Sequence, residues 1–362
     1  MNDLSRYPLH CIVPPYIIER LARSSDPTIR ACAHCNLHAD AAFRAQRLAA
    51  GTRPAAFVQA SPSGAKHRVV YDAGNTPNLP GERVRVEGQG ATQDPAVDEA
   101  YEGAGITYDF YEQLFQRRSL DDQGMTLISS VHVAEQSYDE GPAPLNNAFW
   151  NGEQMAYGDG DGVVFTRFTQ ALEVIAHELT HGVQSFTSNL TYSGQSGALN
   201  EHFSDVFGVL VRQWHRAETA SQADWLIGSE ILVPAPTRRG IRDMLMPGTA
   251  FKDDPDLGDD PQPAHMEHLY TGTADRGGVH INSGIPNRAF ALAARALGGN
   301  AWDVAGRIWY AALLQLPSDS DFAGCAALTV RIAGSDYDAT ARKAVADAWK
   351  AVGVKITTKA AR

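Results

Sequence analysis

ALEVIAHELTHGVQSF, Ala171–Phe186, is the stretch on which the reading of this chain turns. It reads as part of a helix, and on a helix His177 and His181 stand one turn apart, so both imidazoles project from one face. Glu178 follows the first histidine. Its carboxylate is placed to reach a water on a metal held by the two rings without binding the metal itself. HExxH specifies only three positions, so the spelling alone does not decide the chemistry.

A catalytic zinc usually takes a third protein ligand and keeps a fourth position open. GALNEHFSD, Gly197–Asp205, lies on a second amphipathic helix, where Glu201 follows His181 by twenty residues and is the candidate third ligand. On its own Glu201 reads as a solvated helical carboxylate; beside the first helix it reads as a ligand. Asn200 and Asp205 are then candidates for hydrogen bonds that fix the histidine rings.

These residues, with NNAFWNG (Asn146–Gly152) and GGVHINSGI (Gly277–Ile285), resemble the thermolysin family of zinc metallopeptidases. The four blocks occur in the family's order, and the likeness runs from about His67 to the C-terminus. It implies an α+β fold: a β-rich N-terminal lobe, a helical C-terminal lobe and the zinc helix between them. It implies zinc on His177, His181 and Glu201, with Glu178 as general base. Tyr192 and His280 would stabilise the oxyanion, and Asp275 would orient His280. Asn147, Ala148 and Arg242 would hold the substrate backbone. Phe165, Val174 and Ile241 would line an apolar pocket, so that cleavage falls on the amino side of bulky hydrophobic residues. Peptide hydrolysis needs a nucleophile at neutral pH and donors aimed at developing charge, and this residue set offers both.

The other end of the chain carries HCIVPPYII, His10–Ile18. Val13 precedes proline, and Pro14 and Pro15 each fix φ, which predicts a pre-extended segment resembling a bound substrate. The short head around it is similar to the prosegment of the protealysin-like branch of the family, whose signature includes a stretch like Pro14–Tyr16. The resemblance implies that this segment sits in the catalytic cleft before maturation. Two readings of Cys11 stay open: a thiolate filling zinc's fourth position, or a small apolar residue packing beside Ile12 and Val13.

The expected organisation is an inhibitory prosegment over residues 1–50 and a linker and maturation region over 51–66. A β-rich catalytic lobe over 67–185 ends in the zinc helix, and a helical lobe covers 186–362. In the head, helices are expected at Ile17–Arg23 and Cys32–Ala50. Strands are expected in HRVVYDA, ERVRVEG, MTLISSVHV and GVVFTRF, with one helix at Pro95–Arg117. Further helices are expected at Gln170–Asn189, Gly197–His215, Ile285–Leu297, Ala301–Leu314 and Ala339–Val352. The exposed linker and a charge contrast mark the boundary: residues 1–50 carry six basic and four acidic side chains, within a chain of net charge −11.

That acidity argues against a nucleic-acid surface, and no apolar run is long enough to span a membrane. Four cysteines, three of them in the head, form no disulfide framework. With no signal peptide recognised at the N-terminus, the expected location is cytoplasmic, or outside the cell by a route without one. Expected partners are protein or peptide substrates and the chain's own head. Cys32 and Cys35, with His38, read as one face of a helix rather than a second zinc site, and GDGDG (Gly158–Gly162) as a turn rather than a calcium loop.

Two other functions fit the motifs less well. A silent binding protein would have lost Glu178, His280 or Tyr192. An exopeptidase or another zinc hydrolase needs one end of the cleft closed. One departure from the family stands out: positions matching its paired calcium site are Glu173, Arg212, Asp224, Leu226 and Ser229. Two carboxylates are too few for two calcium ions, so the pair is expected to be absent and replaced by an ion cluster of Arg212 with Glu173 and Asp224.

Overall fold

Two prolines and an aspartate shape the head. The computed structural model describes residues 9–51, 65–137 and 141–356, and the first element in it is strand β1 (His10–Cys11). Pro14 is extended (φ −61°, ψ 147°) and caps helix α1 (Pro15–Leu21). Extension therefore stops at Pro14; Pro15, expected to be extended as well, opens the helix, where its missing N–H costs nothing. Helix α2 (Pro27–Gly51) starts well before the expected Cys32. The Asp26 carboxylate accepts from the amides of Thr28 (2.7 Å) and Ile29 (3.3 Å), a cap that Pro27 extends into the first turn. Most of the expected linker, including Thr52, lies outside the described residues.

The N-terminal lobe is built on one mixed sheet of β2 (Arg68–Thr76), β3 (Glu82–Val86), β4 (Leu127–Ser137), β5 (Gly141–Pro144), β6 (Ala148–Trp150) and β7 (Met155–Tyr157). The strand order is β1-β6-β7-β4-β2-β3, with β5 paired to β4. The head thus supplies a strand: β1 runs antiparallel to β6, with His10 opposite Trp150 and Cys11 opposite Phe149. Helix α3 (Pro95–Phe115) follows β3 and is capped by Asp94. GVVFTRF forms no strand; within it Phe165 makes a single bridge to Leu232. The Asp161 carboxylate turns the chain there instead, accepting from the amides of Val163, Val164 and Phe165.

Helices dominate the rest. α4 (Leu172–Ser185) and α5 (Gly194–Arg216) pack closely. Gly208 permits this: a methyl group there would lie 2.6 Å from the Glu173 carbonyl oxygen and 3.3 Å from His177 Cβ. After the two-stranded ribbon β8 (Leu226–Ile227) and β9 (Arg242–Asp243) come α6 (Asp275–Asn282), α7 (Gly284–Leu297), α8 (Val304–Leu313), α9 (Phe322–Ile332) and α10 (Ala339–Ala351). α6 and α9 were not expected from the sequence. α6 is irregular, with Arg276, Gly277 and Gly278 at positive φ, so no helical period announces it. The observed lobes match the expected α+β architecture.

Candidate active site

α4 brings His177, Glu178 and His181 together, all buried. α5 delivers Glu201 against them. One ligand atom from each of His177, His181 and Glu201 falls within 4.8 Å of the others. The two Nε2 atoms are 3.1 Å apart, and each lies 3.5 Å from a Glu201 oxygen.

The outer ring nitrogens each face an oxygen. His177 Nδ1 lies 2.9 Å from Asp205 Oδ1, and His181 Nδ1 lies 2.7 Å from the side-chain oxygen of Asn200. Both partners are acceptors, so both Nδ1 atoms carry the hydrogen and both Nε2 lone pairs face the same point. Two lone pairs that close repel unless a cation lies between them. Glu201 Oε2 has no hydrogen-bond partner, which adds a third free donor to the set. This geometry fits zinc. Burial, then the neighbouring His10 and His177, pushes the His181 pKa well down, keeping the ring neutral as a ligand must be.

Asp205 is held by a further network. Arg242 donates to both of its oxygens, at 2.9 and 2.7 Å, and Asn287 donates at 2.8 Å. Burial would raise the Asp205 pKa, but Arg242 and His177 outweigh it and hold the carboxyl low. His202, between Glu201 and Asp205, accepts from Trp309 and faces Asn287. Burial lowers its pKa to about 4, so it is a neutral prop. The motif did not separate this histidine's role from those of its neighbours.

On the other side of the triad, Glu178 Oε2 accepts from the Trp150 amide at 3.0 Å, while Oε1 is buried with no partner. Burial and then Glu201 drive its pKa well up. Tyr192 donates to Glu201, and its oxygen lies 3.2 Å from His280 Nε2. His280 Nδ1 lies 2.6 Å from Asp275, which also accepts from the His280 amide at 2.7 Å. The positive-φ turn at Arg276–Gly278 folds Asp275 back to reach both. Burial lowers the His280 pKa, but Glu201 and Asp275 prevail and raise it.

The head occupies the cleft. The Cys11 carbonyl oxygen lies 3.2 Å from His280 Nε2. The Ile12 amide donates to the Ala148 carbonyl at 3.1 Å, and Arg242 donates to the Ile12 carbonyl at 3.0 Å. The Val13 amide donates to Asn147 Oδ1 at 3.0 Å. Strand alternation sends odd and even side chains opposite ways. Leu9, Cys11, Val13 and Pro15 line a cavity of about 30 Å³ shared with α2. His10, which the sequence did not single out, stacks on His181 with ring centroids 4.2 Å apart and meets Tyr192 edge-on.

The thiol reading of Cys11 is corrected by this alternation. Its sulfur lies in a small apolar cluster with Leu9, Phe43 and Phe149, 3.8 Å from Asp40. It is the Cys11 carbonyl that faces the catalytic groups. Phe165, Val174, Ile241 and Ile12 are fully buried in one core.

The chain matches the thermolysin metallopeptidase catalytic domain over residues 63–185 and the thermolysin metallopeptidase alpha-helical domain over 188–354. An extracellular metalloprotease of Pectobacterium carotovorum is 46% identical across 96% of this chain and 97% of its own length. The chain belongs to the thermolysin family. Protease PrtS of a Photorhabdus strain is 48% identical over 80% of this thermolysin-family chain and 77% of its own. Among solved structures, the precursor of protealysin from Serratia proteamaculans superposes with a TM-score of 0.85 at 46% identity, covering 96% of this chain and all of that one. The chain is thus a protealysin-like member of the thermolysin family and a zinc metalloendopeptidase. No helix among the described residues is long and apolar enough to cross a membrane.

Proposed function

We propose that this enzyme is a self-inhibited endopeptidase that cuts peptide bonds on the amino side of bulky hydrophobic residues. His177, His181 and Glu201 would hold the zinc, which supplies Lewis acidity to the reacting carbonyl and water. Glu178 takes a proton from the attacking water through its unpartnered oxygen and passes it to the leaving nitrogen. His280, oriented by Asp275, donates with Tyr192 to the oxyanion. Ala148, Arg242 and Asn147 hold the backbone beyond the scissile bond. Phe165, Val174 and Ile241 take the side chain on its amino side.

The observation that carries this reading is the head itself. Cys11, Ile12 and Val13 engage His280, Ala148, Arg242 and Asn147 in one continuous run, the pattern a substrate would make. Residues 1–50 act as the inhibitory prosegment, removed near Leu48–Thr52. The extracellular name of the Pectobacterium relative supports action outside the cell, the second of the two expected locations. Arg212, within 3.3 Å of Glu173 and 2.6 Å of Asp224, stands in for the calcium pair.

The test is to map the cuts made in casein by the processed enzyme. New N-termini should be mainly Leu, Ile, Phe and Val, activity should vanish on zinc removal, and zinc should restore it. Cuts after charged residues, indifferent to the following side chain, would overturn the specificity.

A further inference from the structure

The backbone of the head is threaded through the cleft in a register that puts one particular bond at the reacting position. The Cys11 carbonyl oxygen lies 3.2 Å from His280 Nε2, which in turn lies 3.2 Å from the Tyr192 oxygen, beside the triad. The Ile12 amide is fixed by Ala148 and sits next to the Glu178 carboxylate. Glu178 keeps one buried oxygen without a hydrogen-bond partner. Every group needed to cut Cys11–Ile12 therefore flanks it, and Ile12 is the kind of residue the proposed pocket accepts.

We propose that Cys11–Ile12 is a processing site, hydrolysed by the chain's own active site before or alongside cleavage near the linker. The inference rests on the endopeptidase reading above. The water oxygen bonds to the Cys11 carbonyl carbon while Glu178 accepts one of its protons. The carbon–nitrogen bond then breaks and that proton passes to the Ile12 nitrogen. Cys11 is left with a carboxylate and Ile12 with an amine.

Both flanks of the bond are anchored. On the acyl side β1 pairs with β6 and His10 stacks on His181. On the amine side α1 follows directly and α2 is pinned by Asn36, whose side-chain oxygen accepts from the Asn146 amide at 2.6 Å and whose amide donates to the Pro144 carbonyl at 3.0 Å. Cut ends held this firmly leave slowly. The head is therefore a slow substrate that keeps the cleft blocked after one turnover.

The experiment is intact-mass analysis of the zinc-loaded full-length protein over time. Species beginning at Ile12 should appear, still carrying the rest of the head, with a first-order rate unchanged by tenfold dilution. In H₂¹⁸O the released peptide ending at Cys11 should gain one ¹⁸O. Glu178→Ala should give none of these species. Ile12→Asp should slow the cut at least about tenfold, since an apolar pocket rejects a charge, whereas Ile12→Leu should keep it and shows that the head still docks. If the protein digests casein but every species containing Ile12 retains Cys11, or if the rate scales with concentration, the inference falls and the endopeptidase reading stands. If the zinc-loaded, processed protein digests nothing, both fall.

Discussion

Arg212→Ala removes the only cation within 4 Å of Glu173 among the described residues, and the cost follows from burial. Glu173 is fully buried, with one oxygen 3.3 Å from the Arg212 guanidinium and 3.1 Å from the Gly228 amide, the other without a hydrogen-bond partner. Asp224 is about half exposed and also accepts from the Leu226 amide. Its pairing with Arg212 is worth at most about 1 kcal/mol. Leaving the buried Glu173 without a counter-charge costs about 3–5 kcal/mol and dominates. At about 2 °C per kcal/mol for a chain of this size, the melting temperature should fall by about 6–10 °C. Thermal unfolding followed by circular dichroism, at one scan rate and in a Glu178→Ala background free of self-digestion, reads this directly. Arg212→Leu combined with Glu173→Gln should recover most of the loss, because removing both charges leaves nothing uncompensated. A single variant within 1 °C of its parent, or a double variant no better than the single, would refute the reasoning.

Three further outcomes are expected. A chelator that binds calcium but is too weak to strip zinc should leave the melting temperature nearly unchanged; two tightly bound calcium ions by metal analysis would contradict this. Glu178→Ala should stay full length on a gel in clean buffer while the wild-type chain is trimmed near Leu48–Thr52; trimming of the variant would show that removal does not depend on its own active site. His132 lies between Asp159 and Asp94 at 2.7 and 2.9 Å, and hydrogen bonds to them raise its pKa to about 9 against burial. Its folded-state pKa thus exceeds the unfolded value of about 6.5. The stabilisation is fully present below about pH 6.5 and is lost as pH rises through 9. After discounting for partial exposure it amounts to about 1 kcal/mol, so the melting-temperature gap between wild type and His132→Gln should shrink across that window; a constant gap would count against the assignment.

The two central helices were legible in the sequence because their chemistry is local. HExxH needs only helical spacing, and Glu201 sits on a neighbouring helix that Gly208 lets approach. Asp275 and His280 were reached through the family resemblance, not through their turn, since four consecutive positive-φ residues, Asp275 to Gly278, leave no period to read. In the head, the thiol drew attention to Cys11, whereas strand alternation turns His10 and Ile12 toward the catalytic side and buries Cys11 against α2. The signal was available in the period of two, but only once Cys11 was known to pair with Phe149 across a hundred and more residues. The Asp26 cap was readable locally and was missed. The strand expected in GVVFTRF failed because Asp161 captures three successive amides that a sheet ladder would need.

One paired measurement bears most directly on the central claim: zinc content and casein hydrolysis of Glu178→Ala beside the processed wild-type enzyme. The substitution leaves His177, His181 and Glu201 in place and removes only the base. The variant should hold one zinc per chain and hydrolyse no casein above background. A Glu178→Ala protein with zinc bound and wild-type activity would contradict the account.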